Sequence, residues 1–310
     1  MEEEAVAKKR AGEEQRKRLQ HEKDTVVFSL SLQDHPAGTT YSDDAFSSKP
    51  SEVDYTQPWC IVDSASVKAL SSTSFNNTLL RWVASFPKEP LYKEHGVITA
   101  SVNQAMGSLD LAPAFEMCIP TPQRTLTKDP TLAAHLQNIK LLGESEMFFN
   151  VDFEQAFLGC VRLQLAGHVK FIAVEPTSLA KFLAKQESPS MQAPEISIVD
   201  VQLSALRQKV ISLSASDIPL LKDAGVFLLH FDVGPNSIMY VPPGWMVAHA
   251  TVNADTATAV KRWFMPSSGL DATEKLIKSV SQMTMRTSAR QVLQKFSEQA
   301  AAEIAAKPSS

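Results

Sequence analysis

The sequence predicts a mostly β domain, an antiparallel sandwich or barrel, with peripheral helices and a long C-terminal helix. Two observations carry this expectation. Between residues 147 and 266, short apolar runs alternate with turns rich in Gly, Pro and Asn. From Asp271 the apolar spacing changes to three or four: Leu276, Val280, Met283, Ala289, Val292 and Phe296 fall on one helical face.

The elements follow in chain order. Residues 1–24 carry seven acidic and seven basic side chains, with Glu4–Lys8, Glu13–Lys17 and Glu14–Arg18 at i,i+4. They predict a charged helical arm with no hydrophobic face to dock, so a solvated helix is favoured over a partner-binding one. Residues 25–266 predict the main domain. TVVFSLSL (25–32) reads as a strand and residues 33–56 as a loop rich in Ser, Asp and Pro. WCIV after Pro58 is a short strand, and Asn77–Phe86 closes its segment as a helix. Residues 87–130 hold six prolines, which favours short strands such as GVITASV, and Leu132–Leu142 reads as a helix.

In 147–175, two strands flank a turn at Ala166–Gly167. SLAKFLAKQ is a short helix, KQESPSMQAP a linker and EISIVDV an alternating strand. SDIPLLKDAG is a short helix. VFLLHFDV, IMYV, MVAHATV and ATAVKRWFMP are further strands. Asp271-Ala-Thr-Glu274 matches a capping box and opens the C-terminal helix, residues 267–310. That helix packs on its own domain or forms the seam of a homodimer; the spacing leaves both open.

Composition narrows the function classes. The formal net charge is −4 over 310 residues, so no global basicity points to nucleic acid. Cys60, Cys118 and Cys160 are odd in number and far apart, which argues against a disulfide framework. The opening MEEE is no secretory n-region, and no apolar run nears the roughly 20 residues that span a bilayer. These features predict an intracellular protein, cytoplasmic or nuclear, with no membrane association.

The most specific stretch is YVPPGW. Tyr240 and Val241 end a strand, and Pro242 and Pro243 remove two donors, so the ladder stops there. Gly244 permits the reversal and Trp245 closes the barrel end. With the strand and turn before it and the return strand after it, this corner resembles the cupin-like JmjC family, the double-stranded β-helix of 2-oxoglutarate- and iron-dependent oxygenases. Upstream, Gln164, Gly167, Lys170 and Pro176 carry the same likeness in FLGCVRLQLAGHVKFIAVEP. The likeness spans about residues 145–266.

The resemblance implies a metal site that this sequence does not reproduce. The family's pattern needs a histidine and a carboxylate two apart on one strand and a second histidine on a distant strand. Those positions hold Glu154, Ala156 and Val247, and the usual cosubstrate-gripping base falls at Val169. Lys170 is adjacent and faces the other way. A substitute set is conceivable from alternation. Asn150, Asp152 and Glu154 share one strand face, and His249 shares a face with Val247, so Asp152, Glu154 and His249 suit a hard divalent ion such as manganese or iron. The competing explanation is a half-exposed strand and a hydrogen-bonded histidine. Cys160 reads as a buried structural thiol, and His230 as a satisfied barrel histidine or a cavity-lining one. Lys261 and Arg262 read as contacts for an anionic ligand or as a solvated strand end. Together with Asn150, Asp152, Glu154, Gln164, Lys170, Tyr240, Trp245 and Val247, Cys160 and His230 are the candidate pocket residues.

The leading expectation is therefore a degenerate JmjC-like pseudoenzyme with no catalytic residues and no cofactor, binding an unidentified protein or small molecule. The alternatives are an active oxygenase using Fe(II) and 2-oxoglutarate through an unusual ligand set, and an oligomeric assembly protein built on the C-terminal helix.

Overall fold

The computed structural model describes residues 12–18, 21, 36–48, 52–71, 97–101, 115, 118, 139–144, 149–153, 158–187, 203–251, 257–264 and 298. Its strands, in chain order, are β1 (Thr39–Ser42), β2 (Trp59–Val62), β3 (Val97–Ser101), β4 (Ile139–Glu144), β5 (Phe149–Phe153), β6 (Gly159–Ala166), β7 (Val169–Val174), β8 (Leu228–Val233), β9 (Ser237–Val241), β10 (Met246–Thr251) and β11 (Ala257–Phe264). The helices are α1 (Asp43–Ser48), α2 (Ala65–Ser71), α3 (Pro176–Glu187), α4 (Leu203–Ile211) and α5 (Asp217–Asp223). The chain is thus mixed α and β, with more helix among the described residues than a mostly β reading expects.

The strands form two sheets. One has seven strands in the order β1-β2-β9-β6-β11-β4-β3; the other has four in the order β5-β10-β7-β8. The pairing from β4 onward is nested and antiparallel: β4 with β11, β5 with β10, β6 with β9, β7 with β8. The chain crosses between sheets from β6 to β7, β8 to β9, β9 to β10 and β10 to β11.

Local chemistry sets those crossings. At the β9–β10 corner the Trp245 N–H donates to the Pro242 carbonyl at 3.5 Å, and Gly244 has φ 80. Proline followed by glycine in the left-handed region is the requirement of a type II turn. At the β6–β7 turn Gly167 has φ 72, and a Cβ there would stand 2.7 Å from the Ala257 Cα. Only glycine serves both the conformation and the close approach.

The sheets face each other across one core. Cys60, Cys160, Met239, Val241 and Trp263 of the larger sheet pack with Val169, Phe171, Ala173, Phe231 and Val247 of the smaller one. The outer face of the small sheet is covered by helices: Leu179 and Ala180 of α3 and Leu206 and Val210 of α4 belong to the same buried cluster. The outer face of the large sheet has its own cluster, in which Val161, Leu163, Ile238, Tyr240, Val260 and Phe264 meet Phe46, Val67, Phe115 and Cys118. Both sheets are therefore buried on both faces, which explains why β6 and β10 read as nearly unbroken apolar runs.

Several expectations need correction. Residues 139–142, expected at the end of a helix, form β4, because β3 and β11 flank them and pairing on both edges overrides local propensity. The loop expected over 33–56 contains β1 and α1. The sequence reading also passed over α4. The strands expected at 25–32 and 195–201, the helix at 77–86 and the C-terminal helix from Asp271 lie outside the described residues, Glu298 excepted. In the N-terminal arm, residues 12–18 are helical, and 13–18 are exposed.

Candidate functional site

The inward faces of the two sheets are where a site would be built, and strand register says which residues reach them. On β10, Val247 stands opposite Asp152 of β5 and Ala173 of β7, while His249 stands opposite Asn150 and Phe171. Directly opposed antiparallel residues share a face, so Asn150, Asp152, Val247, His249, Phe171 and Ala173 occupy one face of the small sheet. That face is the inner one, because Arg162 of the other sheet lies over the Phe171 ring, 5.3 Å from its centroid.

The layer is packed. Val247 is 1% exposed and His249 2%. The His249 ring stacks on Phe171 with centroids 5.0 Å apart and planes 25° from parallel. Phe171 thus touches an imidazole and a guanidinium, and its negative ring face suits the cation. The expected alternation of Val247 and His249 onto one face holds. Asp152 and Asn150 hold positions on that face; Glu154 lies outside the described residues.

On the large sheet, Cys160, Arg162 and Gln164 alternate inward along β6 with Val161, Leu163 and Leu165 facing the outer cluster. Arg162 is 1% exposed, and its Nε donates to Gln164 Oε1 at 2.9 Å. Gln164 Nε2 donates to the Ala166 carbonyl at 2.7 Å, so the amide is fixed from both ends. Cys160 is buried in the core, as a structural thiol would be. Cys60 on β2, in the same core cluster, has its thiol pushed up to about 12 by burial. Trp245, also buried, joins the core cluster at the end of β10.

Other candidates point elsewhere. Tyr240, proposed as a pocket residue, lies on the outer face of the large sheet. It stacks on Trp59 at 4.5 Å and donates its hydroxyl to the Tyr55 carbonyl at 3.1 Å. One position of alternation is the reason: Met239 and Val241 take the inward places. His230 stands opposite Ile172, on the outer face of the small sheet, and its Nδ1 donates to the Pro36 carbonyl at 3.2 Å. Lys170 shares that outer face and pairs with Asp232 at 3.4 Å.

The sequence singles out neither Arg162, which reads only as part of a core strand, nor the buried place of Lys261, which reads as an anion contact or a solvated strand end. Lys261 is 7% exposed and stands directly opposite Arg162 on the inner face. Alternation within VRLQL gave the face of Arg162 relative to its neighbours. Nothing local said that β11 would bring a lysine beside it.

These residues do not reproduce the iron site that the resemblance implies. Its distant-strand imidazole position carries the isopropyl group of Val247, buried in the core. The direct register partner of His249 is Asn150, an amide and not a carboxylate. Among the described residues no three His, Cys, Asp or Glu side chains are grouped to hold a metal ion. The donor set in place does not fit a two-imidazole, one-carboxylate centre. No family model matches the chain, and no curated protein matches it significantly.

Proposed function

We propose that this chain is a cupin-like, JmjC-related double-stranded β-helix that no longer performs iron-dependent oxygenase chemistry and acts as a non-catalytic binding or scaffold module. The nested pairing supports the fold reading: first strand with last, second with second-last, inward to a central pair, is how a double-sheet roll closes its edges. The YVPPGW corner supports it from sequence, since it delivers β10 into the inner layer at Val247.

The observation that carries the functional reading is Val247. The resemblance would put a metal-binding imidazole at its position, and the side chain there is a buried aliphatic in the core, opposite Ala173. A missing ligand is not replaced by support from surrounding groups. What the inner layer offers instead is a recognition surface of fixed polar groups, Arg162, Gln164 and His249, held between apolar walls.

The test is an anaerobic titration of the purified protein with Fe(II) in the presence of 2-oxoglutarate. The expected result is no charge-transfer absorbance of a chelated cosubstrate and no stoichiometric metal after desalting. A saturable band at one iron per chain would overturn the proposal. Its loss in His249→Ala would then assign the imidazole as a ligand.

A further inference from the structure

One short segment serves the edges of both sheets. Residues 36–38 lie along the outer edge of β8. The His230 N–H donates to the Pro36 carbonyl at 3.0 Å, and the Gly38 N–H donates to the His230 carbonyl at 2.9 Å. Among the described residues this is the one pairing on that edge of the small sheet. The chain continues without a break as β1, which pairs with β2 at the edge of the large sheet. Residues 36–42 therefore bridge the two sheets along one side of the roll.

The two ends of this bridge are held differently. Tyr41 packs edge-on against Phe46 and Trp59, with centroids 5.8 and 6.0 Å apart. Ser42 Oγ accepts from the Ala45 N–H at 3.2 Å, and Asp43 Oδ2 accepts from the Ala65 N–H at 2.9 Å. The chain is thus fixed where β1 runs into α1. Upstream, Ala37, Thr39 and Thr40 are exposed, and Pro36 and Gly38 are half-buried. None of residues 36–40 is a large apolar one, so lifting them uncovers little of their own apolar surface. A segment that buries little and is held by backbone hydrogen bonds near solvent opens far more cheaply than the whole fold.

The core lies directly beneath. Thr40 is exposed, yet its register partner Cys60 is 1% exposed. A Cβ on Gly38 would overlap the end of the Phe231 ring, and Phe231 is 4% exposed. Cys60, Phe231 and Met239 all belong to the cluster between the sheets. Outside that cluster, His230 Nδ1 donates to the Pro36 carbonyl at 3.2 Å and adds a further tie to the segment.

We propose that residues 36–40 are a flap hinged at Ser42, and that its lifting admits a small molecule between the sheets along the side bounded by β8 and β2. The anchored end at Tyr41 and α1 keeps the flap attached while its upstream part swings. Glycine at position 38 lets the closed flap lie flat on the Phe231 ring. This deepens the reading of the chain as a binding module, by giving the route to its interior, and rests on it.

The experiment is timed alkylation of the native full chain with N-ethylmaleimide, read cysteine by cysteine by mass spectrometry of the digest. The reagent is itself the small molecule whose entry is followed. Cys60 stands beside the flap on β2, whereas Cys160 lies on β6, with β9 between those two strands. Cys60 is expected to react first, at a rate that low urea barely changes. Cys160 is expected to react with the full urea dependence of global unfolding. Gly38→Ala props the flap against the Phe231 ring and is expected to raise the Cys60 rate, relative to Cys160, by roughly tenfold or more. His230→Ala removes the tie to Pro36 without entering the core. It is expected to act in the same direction, and it decides the matter should Gly38→Ala not fold. Cys60 and Cys160 reacting together with one urea dependence overturns the proposal. A Cys60 rate that neither variant moves overturns it too, since the reagent would then arrive by another path. No metal or cosubstrate is involved, so this result and the iron titration can fail separately.

Discussion

At the scale of single residues, the inner layer depends on aromatic and thiol groups that water does not reach. Phe171 contacts His249 on one strand and Arg162 on the facing sheet. Phe171→Ala is expected to lose about 3–5 kcal/mol of stability, from the lost transfer energy and the cavity left behind. Denaturant midpoints at constant slope would measure it. A loss below about 1 kcal/mol would mean that the two sheets are not clamped there. Cys60 gives a pH prediction. Burial raises its thiol from 9.0 to about 12, so the folded state resists the thiolate that the unfolded chain forms freely. The contribution to stability is complete below pH 9 and is lost as pH rises through the folded value, at about 1.4 kcal/mol per unit. Burial also raises Cys118, with the Asp43 charge adding to it, and burial raises Tyr240. These shifts act in the same direction. Melting temperature should therefore be flat from neutral pH to about 9 and fall beyond it, less steeply in Cys60→Ala. A profile unchanged by that substitution would reject the assignment. Individual inward residues were legible where alternation sufficed: Val247 and His249 on one face, Lys170 turned away. Tyr240 was misplaced because a strand buried on both faces offers no polar–apolar contrast to say which side is inner.

At the scale of elements, turns and helix junctions fix the geometry. Gly167 lets β6 hand the chain to the other sheet, with backbone from β11 pressed against it. Gly167→Ala is expected to cost about 1–3 kcal/mol through left-handed strain, with the close approach to Ala257 adding to it. Equilibrium unfolding would show it; a neutral substitution would mean that the turn can relax. The α4–α5 junction is tied by Asp217, which accepts from Lys209 Nζ at 2.5 Å and from the Ser214 N–H at 2.9 Å. Burial works to raise this carboxyl, and the hydrogen bonds from Lys209 and Ser214 outweigh it, holding it below the usual 3.8. A depressed folded value gives stability that is fully present above the unfolded pKa and is lost as pH falls through the folded one. Asp217→Asn should thus cost about 1–2 kcal/mol at neutral pH, and the difference from the parent should begin to shrink as pH falls below about 3.8 and vanish only once pH is below the depressed folded value. A penalty that persists there would point to packing and not charge. The sequence showed the PPGW corner, the Ala166–Gly167 turn and α5 clearly, since proline, glycine and capping chemistry are local. It hid β4, whose strand character comes from two neighbours distant in the chain. It hid the pairing of Arg162 with Lys261 for the same reason: each base is ordinary in its own segment, and only register brings them level.

At the scale of the whole molecule, the question is whether the nested strands from β4 to β11 stand alone or need what precedes them. The resemblance invites the first view, because it covers about residues 145–266 and treats the rest as elaboration. The packing favours the second. β2 is paired to β9 inside the large sheet, and β1 is paired to β2. The outer face of that sheet buries Val161, Leu163, Leu165, Ile238, Tyr240, Val260 and Phe264 with Phe46, Val53, Trp59, Ile61, Val67, Phe115 and Cys118. Uncovering seven large side chains at roughly 1.5–3 kcal/mol each forfeits on the order of 10 kcal/mol or more. That matches or exceeds the roughly 5–15 kcal/mol by which a domain is stable at all. The Trp59–Tyr240–Phe264 stack, with centroids 4.5 and 5.2 Å apart, would also lose its first ring. A fragment of residues 139–264 keeps every nested pair and discards the cover. It is expected to bind a hydrophobic dye strongly and to melt without a cooperative transition, while the full chain binds little dye and melts cooperatively. Cooperative melting of the fragment at a temperature near that of the full chain would make the N-terminal layer dispensable. The large sheet would then owe its stability to the inner core alone.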